Sequence, residues 1–338
     1  SGILNDNEGN YWFTTLHHGV YMSPSLNTYQ VSSINAPVFA LLNLNDSLLI
    51  AGSIKGTYIE IDSFNNINDS YFETFHGKNA IINLKQIRND LWIIGKNVFV
   101  KVSPDKEKSY FIFGGNDISE DNNGNYIWSA HKAIRIKKKN TLEQYFIKEN
   151  EITNAKLGHL LSVKWMKNNY NTQIAEKRSY CSIVKEKGNI WFATEEGVLI
   201  YNTKTQKMNS LSFLTGEVGA VKDIVYLRKW GLYAIGTDNK GVLLVNSNKI
   251  VLKTDISDGL PSNSVTCLKS DKDTLWVGTT KGMCKVFINS ENQKLVTIPI
   301  HFASNRCIND IEKFNSKIYI ATGQGIEYFN QSNLDLKK

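Results

Sequence analysis

Trp276-Val277-Gly278-Thr279-Thr280-Lys281-Gly282 is one copy of a short phrase that returns along the chain. Each copy has an aromatic or large apolar residue, then small residues that often include Gly-Thr or Ala-Thr, and usually a glycine. The other clear copies begin at Trp12, Trp191 and Tyr319, and weaker copies begin at Leu49, Trp92, Trp128 and Tyr233. The chain is therefore an internally repeated protein.

The spacing of the copies predicts the fold. Successive copies begin 36 to 43 residues apart, except that the step from Trp128 to Trp191 is 63 residues. Around Trp276 the sequence predicts four strands over 264–269, 274–278, 283–288 and 294–300, separated by turn residues. Four short antiparallel strands joined by hairpins are one propeller blade. We predict an all-β chain, a β-propeller with four-stranded antiparallel blades.

The repeated aromatic residue is predicted to fill the gap between facing blades. The small residues after it would let the next blade approach, and the glycine would make the following turn. Five of the seven tryptophans occupy this position and are predicted to lie in the core: Trp12, Trp92, Trp128, Trp191 and Trp276. Trp165 and Trp230 are the two that the repeat does not explain.

The domain organisation follows from the continuity of the repeat. We predict one propeller domain over residues 1–338, with an insertion at about 149–179 that follows a fourth strand at 141–147. No apolar run reaches the roughly 18 residues of a membrane span. The first residues lead directly into a repeat without the features of a targeting peptide, which fits a segment of a longer protein.

The charge balance permits an acidic partner. The formal net charge is +7 and the isoelectric point is about 9.0. The only dense basic run, 135–139, lies at the end of a predicted third strand and has no interleaved aromatic residues. A solvated blade edge explains this run better than a nucleic-acid site does. The basic balance also suits an acidic polysaccharide.

Nothing in the sequence resembles a catalytic motif. The carboxylates lie mainly in turns, and the predicted first strands, which would line the channel, are mostly apolar, Ser, Asn or Lys. We therefore predict no catalytic residues, no metal site and no cofactor. The four cysteines show no paired spacing and are predicted to be buried free thiols: Cys181, Cys267, Cys284 and Cys307.

The insertion contains the candidate ligand-binding residues. Loops longer than their repeat often carry binding. An exposed Trp165 and Tyr170, with Arg178 nearby, would make a stacking surface for a sugar or an apolar ligand. The alternative is a local cap over a blade edge with Trp165 turned inward. Trp230 replaces the usual acidic or amide turn, and it would either contact a ligand or cover the neighbouring hairpin.

One segment is specific to a family. Asp258-Gly259-Leu260-Pro261-Ser262-Asn263-Ser264-Val265, followed by 271–282, resembles the two-component regulator propeller repeat of Bacteroidetes sensors. The copies at Trp12, Trp191 and Trp276 are similar to that repeat, whereas those at Leu49 and Trp128 have lost most of it. The resemblance implies one or two seven-bladed propellers in the periplasm, followed by an immunoglobulin-like domain, a membrane helix and a cytoplasmic histidine kinase or DNA-binding output. Eight copies fit an eight-bladed ring, or a seven-bladed ring plus one blade from an adjacent propeller.

The resemblance implies a function but assigns no ligand contacts. It implies a ligand-sensing or partner-binding module of a periplasmic two-component receptor, responsive to an oligosaccharide or acidic glycan, with neighbouring receptor domains and a homodimer as candidate partners. Contact with the membrane would be made only through other segments. The alternatives are a non-catalytic scaffold propeller in envelope assembly or secretion and, less in keeping with the residues, a propeller lyase or glycosidase.

Overall fold

The structure is a computed structural model. It describes residues 2–5, 11–16, 19–23, 28–31, 34, 36–64, 66–71, 73–74, 77–96, 98–111, 115–129, 134–137, 147–148, 173–175, 178–185, 189–214, 218–289, 292, 294–300 and 305–331.

The chain begins with a three-stranded antiparallel sheet, which we call the N-terminal sheet. It contains β1 (Ile3–Asn5), β2 (Tyr11–Thr15) and β3 (Gly19–Ser23), and the next strand in the chain is β4 (Thr28–Gln30). Blade 1 then contains β5 (Val38–Asn45), β6 (Leu48–Ser53), β7 (Thr57–Asp62) and β8 (Ile67–Tyr71). A short hairpin follows, with β9 (Glu73–Thr74) and β10 (Gly77–Lys78).

The next three blades follow in chain order. Blade 2 contains β11 (Ile81–Ile87), β12 (Asp90–Gly95), β13 (Phe99–Val102) and β14 (Lys108–Phe111). Blade 3 contains β15 (Asp117–Glu120), β16 (Tyr126–Ser129), β17 (Ile134–Lys137) and β19 (Gln173–Ala175), while β18 (Ile147–Lys148) adds a fifth strand to blade 2. Blade 4 contains β20 (Ser179–Lys185), β21 (Asn189–Thr194), β22 (Gly197–Asn202) and β23 (Lys207–Ser210).

The last three blades complete the chain. Blade 5 contains β24 (Val221–Leu227), β25 (Leu232–Thr237), β26 (Val242–Val245) and β27 (Ile250–Thr254). Blade 6 contains β28 (Val265–Asp271), β29 (Thr274–Thr279), β30 (Gly282–Ile288) and β31 (Leu295–Ile300). Blade 7 contains β32 (Ile308–Phe314), β33 (Lys317–Thr322) and β34 (Gly325–Asn330). Short 3-10 turns at Ser212–Leu214 and Ile256–Asp258 precede blades 5 and 6.

Seven blades close into a ring within the described part of the chain. The first strand of each blade packs against the first strand of the next, and β32 of blade 7 packs against β5 of blade 1. Blade 7 has only three strands of its own, and β4 supplies the fourth by pairing antiparallel with β34. Tyr29 of β4 stacks on Tyr328 at 5.2 Å between ring centroids. The β-propeller prediction is confirmed, and the eighth repeat, the N-terminal sheet, lies outside the ring.

Among the described residues, the recurring Thr and Gly close the same turn in five of the eight repeats. In blade 6 the Thr279 hydroxyl donates to the Gly282 carbonyl at 2.8 Å, and Gly282 has a φ of 134°. The same bond joins Thr15 to Gly19, Thr194 to Gly197, Thr237 to Gly241 and Thr322 to Gly325. The glycine is needed because a side chain rarely tolerates positive φ. This part of the repeated phrase is therefore turn chemistry, as predicted.

The small residue before that threonine makes room for the next blade. A Cβ added to Gly278 would lie 2.4 Å from Cys267 Sγ and 3.0 Å from Ile308 Cγ2 of blade 7. Equivalent additions to Gly52 and Gly236 would meet Ile81 and Val265 of the following blades. The predicted close approach of the next blade is correct. The atoms that come close belong to a β-branched side chain of that blade.

The predicted aromatic core is correct for four of the five tryptophans. Trp92, Trp128, Trp191 and Trp276 are at most 2% exposed. Trp191 stacks on Tyr233 of blade 5 with 4.0 Å between ring centroids. The prediction was wrong for Trp12, which is 36% exposed because the N-terminal sheet has no neighbouring blade among the described residues.

Strand pairing also shifts the register of three weaker copies. In blades 6 and 7 the repeated aromatic residue pairs with a residue of the first strand: Trp276 with Lys269, and Tyr319 with Glu312. In blade 3 the equivalent first-strand residue, Ser119, pairs with Ile127 and not with Trp128. Trp128 is therefore one residue away from the repeated position and points to the other blade face. The copies at Leu49 and Tyr233 are offset by one residue in the same way.

The described fourth strand of blade 3 comes much later in the chain than the sequence predicted. The fourth strand of blade 3 is Gln173–Ala175, and it pairs with Ile134–Lys137. Of the strand predicted at 141–147, only Ile147 lies among the described residues, and Ile147–Lys148 pairs with the outer strand of blade 2 rather than with blade 3. The extra residues therefore lie between the third and fourth strands of blade 3. The basic run begins in the third strand, β17, as predicted.

The four cysteines are free thiols, as predicted. Cys267 and Cys284 are buried and Cys181 is partly buried, but Cys307 is exposed, which corrects its predicted burial. Among the described residues, no helix is long and apolar enough to cross a membrane.

Candidate functional site

The seven inner strands begin at one end of the ring, which we call the upper rim, and end at the lower rim. Side chains near the starts of these strands form hydrogen bonds to the next blade. Asn116 Nδ2 donates to the Ser179 carbonyl at 2.7 Å, and Asn309 Nδ2 donates to the Val38 carbonyl at 2.7 Å. These bonds align the first residues of neighbouring inner strands.

A β-bulge near the start of the inner strands determines which side chains reach the next blade. The register shifts between Val221 and Asp223 and, equivalently, between Ile308 and Asp310. Five of the side chains after the shift are polar or contain sulfur: Asn83, Cys181, Asp223, Cys267 and Asp310. The inner strands thus contain some acidic residues, although most of their residues are apolar, Ser, Asn or Lys, as predicted.

Asp223 and Asp310 connect adjacent blades by the same pair of bonds. Asp310 Oδ2 accepts a hydrogen bond from the backbone N–H of Leu41 in blade 1 at 2.7 Å, and Asp223 Oδ2 accepts one from Leu268 in blade 6 at 2.7 Å. The other oxygen of each carboxyl accepts the next N–H of its own strand. The inner strand is an edge strand of its blade, so some of its backbone N–H groups have no partner within the sheet. These carboxyls accept hydrogen bonds from such N–H groups.

Burial changes the acidity of these groups. It raises the pKa of Asp223, and it raises the pKa of Asp310 to about 7 even though the Leu41 N–H lowers it. Cys181 Sγ lies 3.3 Å from Asp223 Oδ1, and burial followed by the Asp223 charge raises the pKa of that thiol. A thiol with a raised pKa is a hydrogen-bond donor and a poor nucleophile.

Two further inner-strand carboxylates are paired with lysines. Lys85 Nζ lies 2.9 Å from Asp117 Oδ2 and donates to Ser119 Oγ at 3.0 Å. Lys269 Nζ lies 2.6 Å from Glu312 Oε2. These ion pairs link blade 2 to blade 3 and blade 6 to blade 7. The acidic groups of the channel thus hold the blades together, and the described residues contain no cluster of three metal-binding side chains.

A cluster of cations around an aromatic ring lies at the upper rim between blades 4 and 5. Tyr180 and Lys222 are the second residues of β20 and β24, so the ring geometry places them side by side. Lys222 Nζ is 4.4 Å from the centroid of the Tyr180 ring, and Arg178 Cζ is 5.2 Å from it. Each contact falls within cation–π range.

The cluster extends to blade 6 through a carboxylate. Lys222 Nζ lies 3.8 Å from Asp238 Oδ2, and Ser264 Oγ donates to Asp238 Oδ1 at 2.9 Å. We call Arg178, Tyr180, Lys222, Asp238 and Ser264 the upper-rim cluster. Cations, a carboxylate and a hydroxyl in one row can bind a polar ligand that carries several hydrogen-bonding groups.

The residues predicted from sequence fall into three groups. Trp165 and Tyr170 lie outside the described residues. Arg178 is exposed and belongs to the upper-rim cluster. Trp230 is half-buried in the turn that follows β24. Its backbone N–H donates to the Leu227 carbonyl at 3.1 Å, and its ring packs on the core shared by blades 5 and 6.

Arg178 and Trp230 lie at opposite ends of the ring. Arg178 precedes β20, whereas Trp230 follows β24. An inner strand of seven residues spans roughly 23 Å at about 3.3 Å per residue. The structure therefore does not bring these two residues into one small-ligand site. Sequence reasoning missed Tyr180 and Lys222, which could have been found as the second residues of aligned first strands.

The family-specific segment is structural in this fold. Asp255 caps the short turn Ile256–Asp258 by accepting from Ser257 N at 2.8 Å, and Gly259 has a φ of 104°. The sequence model of the family described as two component regulator propeller matches residues 259–281, which run from this turn through the second strand of blade 6. This chain carries a two-component regulator propeller repeat. The resemblance seen in the sequence is thereby confirmed over the regulator repeat of blade 6.

Solved propeller structures are similar over most of the chain. The extracellular domain of BT4673 from B. thetaiotaomicron, described as a one-component or hybrid two-component system, has a TM-score of 0.67 and 18% identity, with 98% of this chain and 45% of that chain covered. The extracellular domain of BT3049, described as a hybrid two-component system of the same organism, has a TM-score of 0.67 and 15% identity, with 100% and 46% covered. YCF48 bound to D1 peptide has a TM-score of 0.63 and 11% identity, with 90% and 96% covered.

These likenesses establish the fold. The chain spans less than half the length of the two B. thetaiotaomicron structures that it matches. A comparison with curated protein sequences gives no match.

Proposed function

We propose that this chain is a ligand-sensing propeller module in the extracytoplasmic part of a two-component signalling receptor. The regulator repeat at 259–281 supports the signalling role, and similar propellers occur in extracellular domains described as belonging to such systems. The module itself is non-catalytic in this proposal, and any output activity belongs to other domains. A periplasmic location follows from the same reasoning.

The observation that carries the sensing role is the upper-rim cluster. It presents two cations, an aromatic ring, a carboxylate and a hydroxyl from three consecutive blades at one end of the ring. Oligosaccharides offer many hydroxyls, and acidic ones add carboxylates or sulfates that pair with Arg and Lys. The net charge of +7 favours the approach of an acidic glycan. We propose such a glycan as the ligand class.

Binding would be transmitted as a change in the populations of two domain arrangements. A ligand shifts such an equilibrium only by its difference in affinity for the two arrangements. The module therefore needs adjacent receptor domains as partners, and a homodimer is a further partner that this proposal allows.

Thermal unfolding and isothermal titration calorimetry against neutral and acidic oligosaccharides test the proposal. We expect an acidic oligosaccharide to raise the melting temperature, because a ligand that binds only the folded state stabilises it. Lys222→Ala and Tyr180→Ala should abolish the shift. Lys229→Ala, which removes an exposed lysine paired with Asp273 in the turn after β24, is the matched control and should preserve it.

A second pair of variants tests the site predicted from sequence. If binding is lost in Trp165→Ala with Trp230→Ala but preserved in Lys222→Ala, the ligand binds at the insertion or the lower rim and the upper-rim site is wrong. If no oligosaccharide binds in any form, sensing of glycans by this module is refuted, and a scaffold role becomes the better explanation.

A further inference from the structure

One backbone hydrogen bond at the upper rim recurs from blade to blade and identifies equivalent residues. In blade 5 the N–H of Asp238, which follows the second strand, donates to the Ala220 carbonyl just before the inner strand at 2.9 Å. In blade 1 the N–H of Ile54 donates in the same way to the Pro37 carbonyl at 3.0 Å. Ile54 therefore occupies in blade 1 the place that Asp238 has in blade 5.

Two more residues of the upper-rim cluster have counterparts at blade 1. Phe39 corresponds to Lys222, because each is the second residue of its inner strand and lies at the β-bulge. Ala80 corresponds to Ser264, because each immediately precedes the inner strand of the following blade. Three positions that are charged or polar around blade 5 are thus all apolar around blade 1.

The apolar counterparts are open to solvent. Phe39 is 39% exposed and Ile54 is 47% exposed. Ala80 and Ile82, the second residue of β11 in blade 2, are half-buried beside them. We call Phe39, Ile54, Ala80 and Ile82 the apolar rim patch. Exposed apolar side chains that cluster in this way mark binding surfaces.

Packing between blades does not require Phe39 to be apolar. Its neighbours in β5, Val38 and Ala40, are 0% and 1% exposed and supply the buried contacts of this part of the strand. Other blades carry lysine or asparagine at the place of Phe39, as Lys222 and Asn309 show. The apolar character of the patch is therefore free to serve a ligand.

The apolar rim patch and the upper-rim cluster face one channel mouth. Both lie at the upper rim, the patch on blades 1 and 2 and the cluster on blades 4 to 6, so the seven-bladed ring places them on opposite sides of the mouth. One side offers Arg178 and Lys222 to an anion. The side chains of the other side offer no hydrogen-bonding group.

We propose that the apolar rim patch binds an apolar substituent, an alkyl, acyl or aryl group, of the acidic glycan whose charged part binds the upper-rim cluster. This inference rests on the proposed function and narrows its ligand class to amphipathic acidic glycans. Sugar hydroxyls placed against the patch would lose hydrogen bonds to water without replacement, which costs free energy. An apolar substituent is instead stabilised by leaving water.

Isothermal titration calorimetry of residues 1–338 with methyl, hexyl and dodecyl β-D-glucuronides, each below its micellar concentration, tests the proposal. The charged sugar is constant, so the ratio of dissociation constants reports the alkyl chain alone. We expect dodecyl glucuronide to bind at least about tenfold more tightly than methyl glucuronide, because burial of two or three methylene groups is enough for that factor. The neutral dodecyl β-D-glucoside should bind more weakly than the glucuronide.

Variants locate the chain on the protein. Phe39→Ser combined with Ile54→Ser should bring the ratio of dissociation constants close to one. Phe64→Ser is the matched control and should keep the full ratio, because Phe64 is 83% exposed in the turn after β7 of the same blade. If the double variant melts early, Ile54→Ser alone makes the same test at the more exposed of the two residues.

The outcomes separate this inference from the proposed function. Binding of an acidic oligosaccharide without any gain from the alkyl chain would overturn the inference and leave the proposed function standing. A gain that persists in the Phe39 and Ile54 variants, or equal binding of the glucoside and the glucuronide, would also overturn the inference. Absence of binding by every acidic sugar, with or without a chain, would refute the proposed function itself.

Discussion

Replacing Asp310 with asparagine is expected to change how the stability of the ring depends on pH. Asp310 joins the last blade to the first, since its Oδ2 accepts the Leu41 N–H at 2.7 Å and its Oδ1 accepts the Ile311 N–H at 2.8 Å. Burial raises the pKa of this carboxyl to about 7, against the ordinary value of 3.8 that it has in the unfolded chain. The folded protein therefore holds a proton that the unfolded chain has released.

The sign and size of the effect follow from proton linkage. Between pH 3.8 and about 7 the folded state binds one more proton than the unfolded state, so the free energy of unfolding falls as pH rises. The contribution is fully present below the unfolded pKa and is lost as pH rises through about 7. A difference of about three pKa units corresponds to about 4 kcal/mol. This is an upper value, because the Asp310 carboxyl keeps partial contact with water.

Asparagine has the same shape but does not titrate, and it has one acceptor oxygen instead of two. At pH 5 Asp310→Asn should cost about 1–3 kcal/mol, because one backbone N–H loses its acceptor. As pH rises to 8 the wild type loses the contribution of its protonated carboxyl, so the two proteins should become similarly stable or exchange order. Urea unfolding followed by tryptophan fluorescence, at half-unit steps from pH 4.5 to 8.5, measures the difference.

Asp62→Asn is the control with the opposite sign. Hydrogen bonds led by the Asn66 side chain lower the pKa of Asp62, so its contribution is present above the unfolded pKa and is lost as pH falls. A stability difference between wild type and Asp310→Asn that stays constant across the pH range would refute the reasoning. It would mean that the carboxyl is ionised in the folded ring and that the backbone bonds outweigh burial.

Three further outcomes are expected. Trp276→Ala should lower the free energy of unfolding by about 3–5 kcal/mol, whereas Trp12→Ala should change it by less than about 0.5 kcal/mol, as urea unfolding can show. Gly278→Val should cost at least about 1–3 kcal/mol because its Cβ would meet Cys267 and Ile308, while Gly323→Val, with no neighbouring atom within 4 Å, should cost much less; thermal unfolding compares them. A thiol reagent at pH 8 should modify Cys307 in the native state well before the other three cysteines, because it alone is exposed; time-resolved mass spectrometry would detect a contrary order.

The sequence predicted the features that depend on local chemistry. The Thr-to-Gly bond and the positive φ of Gly282 lie within a few residues, so a repeated phrase is enough to reveal them. The burial of Trp276 follows from its regular spacing. Trp12 has the same local sequence and is nevertheless exposed. Its burial depends on a neighbouring blade, which the residues around it do not encode.

The polar groups of the channel could not be assigned from the pattern alone. The alternation of a strand assigns side chains to faces only while the register is regular. The bulge before Asp223 and Asp310 adds one residue and redirects both carboxyls to the next blade. For the same reason Tyr180 was not recognised as a neighbour of Lys222, although each is the second residue of its inner strand.

The upper-rim cluster and the bonds between blades share the same strand. In β24, Lys222 contacts Tyr180 of blade 4, and the next residue, Asp223, bonds to Leu268 of blade 6 and to Cys181 of blade 4. The distances between the cluster residues are therefore set by the bonds that hold blades 4, 5 and 6 together. A ligand that contacts all three blades would stabilise those bonds through binding linkage. A ring held in this way has little freedom to change its own shape. If the proposed receptor function holds, a signal from the upper rim would pass as a change in how the ring packs against neighbouring domains.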